Sequence, residues 1–257
     1  VQGATDLGLD IVTLPLYYTH HGAIVKFDRK RQRAYSVKLP NFEGVNYSAN
    51  LYGFMTAKNL EEFKGVVGKQ RMPKWNLLYS DAWNIYWIHN GTVAKRAEGF
   101  DWRKPVPGWL KETEWGPFLP LEVYPQILNP ASGFLQNCNT PHWVVTKDSG
   151  LRPLEPAEYY LQSLPKADAG EEALNTRGER LFQVLGENRK FTLDDIKQLA
   201  LDTYILPADV IVPLLINAVA GAEPNVDAHL RKAVELLKAW DRRSSRESEA
   251  YTYLHFW

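Results

Sequence analysis

The side chains in this chain best placed to do chemistry are amides. The segment Asn129-Pro-Ala-Ser-Gly-Phe-Leu-Gln-Asn-Cys-Asn-Thr-Pro141 sets Pro, Gly and three Asn around a short apolar stretch. That composition suits a tight turn followed by an extended piece, which would bring amide groups to a defined place; the same residues also read as an Asx-rich turn that holds loops together. His20-His21 is the sole pair of adjacent histidines. As neighbours in an extended segment they would point to opposite faces, which argues against joint metal ligation and for a structural or surface role. Cys138 could act as a thiol nucleophile only beside a His, and its apolar and amide neighbours favour a small buried packing residue. Asp194, Asp195 and Asp202 read as helix-terminus and surface charges, and the run Arg242 to Glu249 as a solvated loop between helices. There is no Gly-rich phosphate loop, no Gly-x-Ser-x-Gly elbow, no His-Glu-x-x-His and no Cys-x-x-Cys in the sequence.

The elements that must position these residues change character along the chain. Gly22–Asp28 and Arg33–Leu39 alternate in the manner of strands around a basic tip, a β-hairpin closed by Pro40. Asn59 to Val67 has a polar start, an acidic first turn and apolar residues at 60, 63, 66 and 67, which predicts a short helix. Asn76–Asp81 and Ile85–His89 flank a turn at Ala82-Trp83-Asn84 and predict an antiparallel hairpin. Residues 92–165 are mostly loop, and helical spacing takes over from Glu171 to Leu185. Thr192 and Asp195 form a variant capping box opening a helix to about Ile205. Pro207 suits the first turn of a helix running to Ala220 and ended by Gly221, and Asn225 would cap a last long helix through Trp240. The fold class is α+β, strand- and loop-rich over 1–165 and helical over 166–257. A composition shift near 165 separates halves that each look unclosed, so a single piece over 1–257 is expected.

Composition narrows the function classes. The chain of 257 residues is 45% hydrophobic and 23% charged, as globular proteins are, and its 30 basic and 30 acidic residues leave no net field. Nucleic acid and membrane surfaces are therefore not expected partners. A single cysteine excludes an intrachain disulfide framework, and no apolar run reaches the length of a membrane span. Trp and Pro concentrate unusually in the middle: seven of nine Trp lie between Trp75 and Trp143, and ten of sixteen Pro between Pro105 and Pro165. Such a stretch reads as long ordered loops packed on a scaffold.

The Asn129–Pro141 segment resembles the Asn-Pro-x-x-Gly-aromatic-x-x-Asn-x-Asn signature of the penicillin amidase family of N-terminal-nucleophile hydrolases. That family includes penicillin, cephalosporin and acyl-homoserine lactone acylases. Thr19-His-His-Gly-Ala-Ile-Val25 is similar to its Thr-x-His-Gly-Pro-Val segment, with Ala23 in place of Pro. Asn59-Leu-Glu-Glu-Phe63 resembles its Asn-Leu-x-Glu-Phe helix. Pro73 to Asp81, with Asn84-Ile85 and Gly91, resembles its Pro-x-x-Asn-x-x-Tyr-Ala-Asp-x-x-Gly-Asn-Ile hairpin, with Trp83 where Gly is usual. Arg177, Phe191-Thr-x-x-Asp195 and Leu237-x-x-Trp-Asp241 follow in the family's order. The resemblance spans nearly all of the chain.

The resemblance implies part of an αββα sandwich and a reaction in which an N-terminal Ser, Thr or Cys, with its own α-amino group as base, attacks an acyl amide. Asn139 would then donate to the tetrahedral oxyanion, where a neutral amide adds no charge to perturb the amine, and Arg177 would orient substrate or the catalytic Asn. Asn137 would support the turn. The family nucleophile lies upstream of the Thr-x-His-Gly element, and Val1 has no usable side chain. The chain therefore matches the centre of a β-chain, with the α-chain and the remainder of the β-chain of the same precursor as partners and no hydrolysis expected from it alone. The substrate would be a small acyl amide, a β-lactam antibiotic or an acyl-homoserine lactone, and the location periplasmic or secreted. No cofactor or metal is expected. A rival reading is a non-catalytic module whose Trp-rich loops hold a hydrophobic or carbohydrate ligand; the lack of a nucleophile and Trp83 favour it, and the presence of Asn139 and Arg177 argues against it.

Overall fold

The computed structural model describes residues 2–5, 8–11, 14–40, 47–70, 75–102, 104–151, 174–187, 189–222 and 225–256. Its two compact units are Val1–Ala173 and Leu174–Trp257. The start expected for a helix at Glu171, and Pro73-Lys74 of the hairpin motif, lie outside the described residues.

The first unit is built on small antiparallel sheets. Strands β1 (Gln2–Thr5) and β2 (Gly8–Ile11) pair with each other. Strands β3 (Tyr18–Thr19), β4 (Gly22–Asp28) and β5 (Arg33–Val37) form a second sheet in that order, with the β4–β5 hairpin where alternation predicts it. His20 and His21 occupy the two-residue turn between β3 and β4. Gly22, the next residue, has φ +117°, and a Cβ there would lie 2.1 Å from the Val37 carbonyl oxygen, so only glycine fits. Helices α1 (Tyr47–Thr56) and α2 (Leu60–Val67) follow. Asn59 caps α2 by accepting from the Glu62 N–H at 2.9 Å, while Glu62 reaches back to the Lys58 N–H, also at 2.9 Å.

The third sheet consists of β6 (Trp75–Ser80), β7 (Ile85–Asn90) and β8 (Gln126–Leu128), with β7 central. Leu60, Phe63 and Val67 of α2 bury their stripe against Tyr86, Ile88, Val93 and Tyr124, so the predicted helix and the predicted hairpin share one core. The β6–β7 turn is held by Asp81. Its Oδ1 accepts from the N–H groups of Trp83 and Asn84 at 2.7 Å each, and its Oδ2 accepts from the Tyr79 hydroxyl at 2.7 Å. Trp83 is not among the positive-φ residues and its side chain is 87% exposed, which is why Trp is tolerated where the family usually has Gly.

The Tyr79 hydroxyl, then the backbone and Asn84 donors, hold the Asp81 carboxyl down to about 2, and the same contact pushes the Tyr79 phenol up to about 12. A depressed carboxyl contributes stability above its ordinary value of 3.8 and loses it as pH falls toward about 2. A raised phenol contributes below 10.0 and loses that contribution as pH rises toward about 12. We expect an NMR titration to place the Asp81 midpoint near 2, and Asp81→Asn to return the Tyr79 midpoint toward 10.0.

Between β7 and β8 the chain makes an excursion whose neck is closed by an Ala94–Phe118 bridge and by bonds joining Lys95 to Gly116 and Pro117. This loop carries Trp102, Trp109 and Trp115, while Trp75 and Trp87 of the Trp cluster lie in β6 and β7; residues 152–165 of the expected loop stretch, with Pro153, Pro156 and Pro165, lie outside the described residues. Arg96 lies over both the Trp102 and Trp115 rings, which stiffens the loop.

The second unit is helical: α3 (Thr176–Leu185), α4 (Leu193–Ala200), α5 (Ala208–Gly221), α6 (Ala228–Ala239) and α7 (Glu249–Phe256). Thr192 and Asp195 form the capping box anticipated for α4. Helix α4 stops at Ala200 and does not reach Ile205. Tyr204 instead bridges Arg243, and Asp202 is gripped by Arg180 at 2.7 Å and Arg243 at 2.6 Å, contacts that outbid one more helical turn. The cap of α6 is Asp227, whose Oδ1 accepts from the Leu230 N–H at 2.8 Å, and not Asn225. The run from Arg242 is more than a solvated loop: Arg242 donates to the Leu237 carbonyl at the end of α6. Ala208 and Val212 of α5, Leu237 of α6 and Ala250 of α7 form the core of this unit.

Candidate active site

Strand β8 delivers the Asn-rich segment. Asn129 sits at the strand end with φ +48°, a left-handed conformation that Asn tolerates better than most residues. Its backbone N–H donates to the Ile85 carbonyl at 2.9 Å, its Oδ1 accepts from the Ile85 N–H at 2.8 Å, and its Nδ2 donates to Asn84 Oδ1 at 3.0 Å. Asn129 thus pins the segment to the start of β7. Gly133, at φ +75°, completes a turn with a bond to the Pro130 carbonyl, and the Ser132 and Thr146 hydroxyls pair across the loop.

Beyond the turn the chain runs back under cover. Buried Gln136 bonds through its N–H to the Val145 carbonyl at 2.8 Å, and its side-chain amide donates to Thr140 at 2.9 Å and to the Val144 carbonyl at 2.6 Å. Cys138 is buried, as a packing residue would be, and the segment alternates from there: Asn137 and Asn139 are exposed on either side of it. Asn139 has φ +59°. Its N–H donates to Asn137 Oδ1 at 3.2 Å, an Asx-type turn, and Asn137 Oδ1 also accepts from Asn76 Nδ2 at 2.9 Å. Asn76 Oδ1 in turn meets His89 Nδ1 at 2.6 Å, and these two residues are cross-strand partners of β6 and β7. A line of hydrogen bonds therefore runs from the sheet through His89, Asn76 and Asn137 to the backbone of Asn139. Asn129 and Asn137 tie the turn together, as an Asx-rich turn would, and Asn139 is exposed at the end of it.

Asn76 and His89 were not legible as supports of this site, since each is an ordinary strand residue until register places it opposite the other. Arg177 lies in the second unit, exposed on the first turn of α3, which Asn175 caps by accepting from the Gly178 N–H at 3.0 Å. Asp194 pairs with Lys197, Asp195 is used in the capping box, and Asp202 is held by two arginines, so these carboxylates are committed to structure. Burial pushes the Asp202 carboxyl up, yet the hydrogen bonds from Arg180, Arg243 and the Tyr204 N–H outweigh it and leave the group below its ordinary range.

The histidine pair departs from the sequence reading. His20 and His21 are in a turn, where the backbone does not alternate, and their rings lie 3.8 Å apart between centroids on the same side. His20 Nε2 is 2.8 Å, and His21 Nδ1 3.7 Å, from Glu114 Oε1, while Lys38 donates to Glu114 Oε2 at 3.2 Å. The Lys38 bond, ahead of the bond from His20, holds the Glu114 carboxyl below its ordinary range against its own desolvation. Among the described residues this is the one group of three or more His, Cys, Asp or Glu side chains close enough to share a metal ion.

A solved structure of a thermostable penicillin G acylase from Alcaligenes faecalis matches this chain with a TM-score of 0.59 at 21% identity, over 90% of this chain and 39% of that one. The fold is thus that of part of this penicillin G acylase structure. The sequence model of the penicillin amidase family matches residues 1–257, and the chain belongs to that family. Among curated relatives, penicillin G acylase of Escherichia coli is 35% identical over 130 residues, 49% of this chain and 15% of its own length. The acyl-homoserine lactone acylase QuiP of Pseudomonas fluorescens Pf0-1 is 25% identical over 243 residues, 93% of this chain and 26% of its own length. The chain therefore spans about a quarter or less of these relatives. No helix among the described residues is long and apolar enough to cross a membrane.

Proposed function

We propose that this chain is the oxyanion-stabilising part of an N-terminal-nucleophile amidohydrolase that cleaves the acyl-amide bond of a β-lactam antibiotic or an acyl-homoserine lactone. The observation that carries the reading is the presentation of Asn139 on a turn braced from β6 and β7, within a chain that matches the penicillin amidase family throughout. In this reading the nucleophile and its α-amino base come from another segment of the precursor, along with the rest of the acyl pocket, and the α-chain and remainder of the β-chain are the partners. The Asn139 amide and a backbone N–H donate to the oxyanion as the carbonyl becomes tetrahedral, and donors fixed in advance need no reorganisation at that moment. Asn137 and Asn76 are positioning residues that fix the backbone of Asn139. The Arg177 guanidinium, a planar fork of donors, orients the reacting groups. The acylase names of its relatives support a small-molecule acyl-amide substrate, and the family resemblance implies an exported protein.

The test is hydrolysis by the complete gene product, with penicillin G and an N-acyl-homoserine lactone assayed in parallel for release of the free amine. Turnover of at least one by the complete protein, and of neither by the 257-residue chain alone, is the expected result. A complete, processed protein that cleaves no acyl amide would overturn the reading.

A further inference from the structure

We propose that His20, His21 and Glu114 form a zinc-binding site that clips the β3–β4 turn to the loop between Ala94 and Phe118. One ring nitrogen of His20, one of His21 and a Glu114 oxygen lie within 4.8 Å of one another. The two contacts to Glu114 Oε1, at 2.8 and 3.7 Å, bracket the roughly 3.3 Å between neighbouring donors on a tetrahedral zinc with bonds near 2.05 Å. Small side-chain rotations would bring the three donors to one ion.

The tautomer of His21 is the stronger argument. His21 Nε2 lies 2.7 Å from the Gly108 carbonyl oxygen, an acceptor only, so Nε2 carries the hydrogen. The lone pair of a neutral ring is then on Nδ1, facing the Glu114 carboxylate. Two acceptors facing each other are a poor arrangement unless a proton or a cation lies between them. An imidazole whose other nitrogen donates to a backbone carbonyl is the usual form of a zinc-bound histidine, and a ligating carboxylate is usually bonded through its second oxygen, as Lys38 bonds Glu114 Oε2.

The frame is stiff on both sides. Gly22 fixes the turn that carries the histidines, and a Cβ on Gly108 would approach His21 Nε2 to 3.0 Å, so glycine permits that close approach. Glu114 follows a 3-10 turn in which the Thr113 hydroxyl bonds to the Pro107 and Leu110 carbonyls. His20 and His21 line a cleft of about 1030 Å³ that Trp102, Trp109 and Trp115 also line, open enough to admit an ion and water. Two imidazoles and one carboxylate suit zinc, whereas calcium prefers six or more oxygens. The site uses none of the residues assigned to the oxyanion, so it stands or falls apart from the acylase reading.

The test is a zinc titration of the full, chelator-stripped chain in competition with a chromophoric chelator, with thermal unfolding followed in parallel. One zinc per chain is expected, with a Tm raised by about 5 °C or more at saturation and no shift with calcium. His20→Ala and Glu114→Gln should each weaken binding by about 100-fold, whereas His229→Ala should leave it unchanged. Equal binding by all three variants, or no zinc bound by the unsubstituted chain, would overturn the site and leave a proton as what joins His21 to Glu114. If the variants do not fold, cobalt on the unsubstituted chain decides: intense visible d–d absorption supports the site, and its absence refutes it.

Discussion

Asn139→Gly in the complete protein is expected to lower kcat for the proposed acylase reaction by about 10²- to 10³-fold, or roughly 2.7–4 kcal/mol of transition-state stabilisation, with KM little changed. Glycine is the informative substitution. Asn139 has φ +59°, which glycine adopts freely, so the turn keeps its path and loses only the amide. Asn139→Ala would add about 1–2 kcal/mol of backbone strain to the lost donor and mix two effects. A fall confined to kcat is what an oxyanion donor predicts, because the substrate carbonyl in the ground state makes little demand on it. If Asn139→Gly retains kcat within threefold of the parent, some other donor holds the oxyanion and the assignment of Asn139 fails.

Gly22→Ala is expected to cost about 3 kcal/mol or more of stability and to lower Tm by roughly 6–12 °C. Two independent penalties act at this residue. The backbone at φ +117° is a region that side chains avoid, and the added Cβ would stand 2.1 Å from the Val37 carbonyl oxygen. Relief requires β4 and β5 to part at the Ala23–Val37 pair, the first rung of their ladder. Gly65→Ala is the matched control. Gly65 lies within α2, nothing stands within 4 Å of its added Cβ, and alanine there should stabilise by about 0.5–1 kcal/mol. Differential scanning calorimetry of the two variants side by side checks both signs. The glycine of the Thr-x-His-Gly element is therefore a steric requirement of the hairpin, and it also sets the turn on which His20 and His21 converge.

The elements that could be read in advance are those whose causes are local. Alternation over Gly22–Asp28, the polar cap and apolar stripe of Asn59–Val67, the turn at Asp81–Asn84 and the capping box at Thr192–Asp195 each act within a few residues, and each element formed where those signals lie. Helix α1 carried no comparable signal: Asn50 is its one buried residue and no acidic residue lies in its first turn. Asn225, the expected cap, does not open α6; the bond from the Leu230 N–H makes Asp227 the cap.

By itself the sequence determined the α+β class, the hairpins, the membership in the penicillin amidase family and the identity of Asn139 and Arg177 as the residues to test. Tertiary structure decided what depends on partners distant in the chain. Asp202 left α4 for arginines 22 and 41 positions away, Asn137 found Asn76 across 61 positions, and His20 found Glu114 across 94. Propensity and periodicity are properties of neighbours along the backbone, whereas hydrogen bonds and ion pairs form between whatever groups the folded chain brings within about 3 Å. For that reason the Asn129–Pro141 segment could be recognised from its residues, while the bonds behind it and the histidine–carboxylate cluster became visible only in the fold.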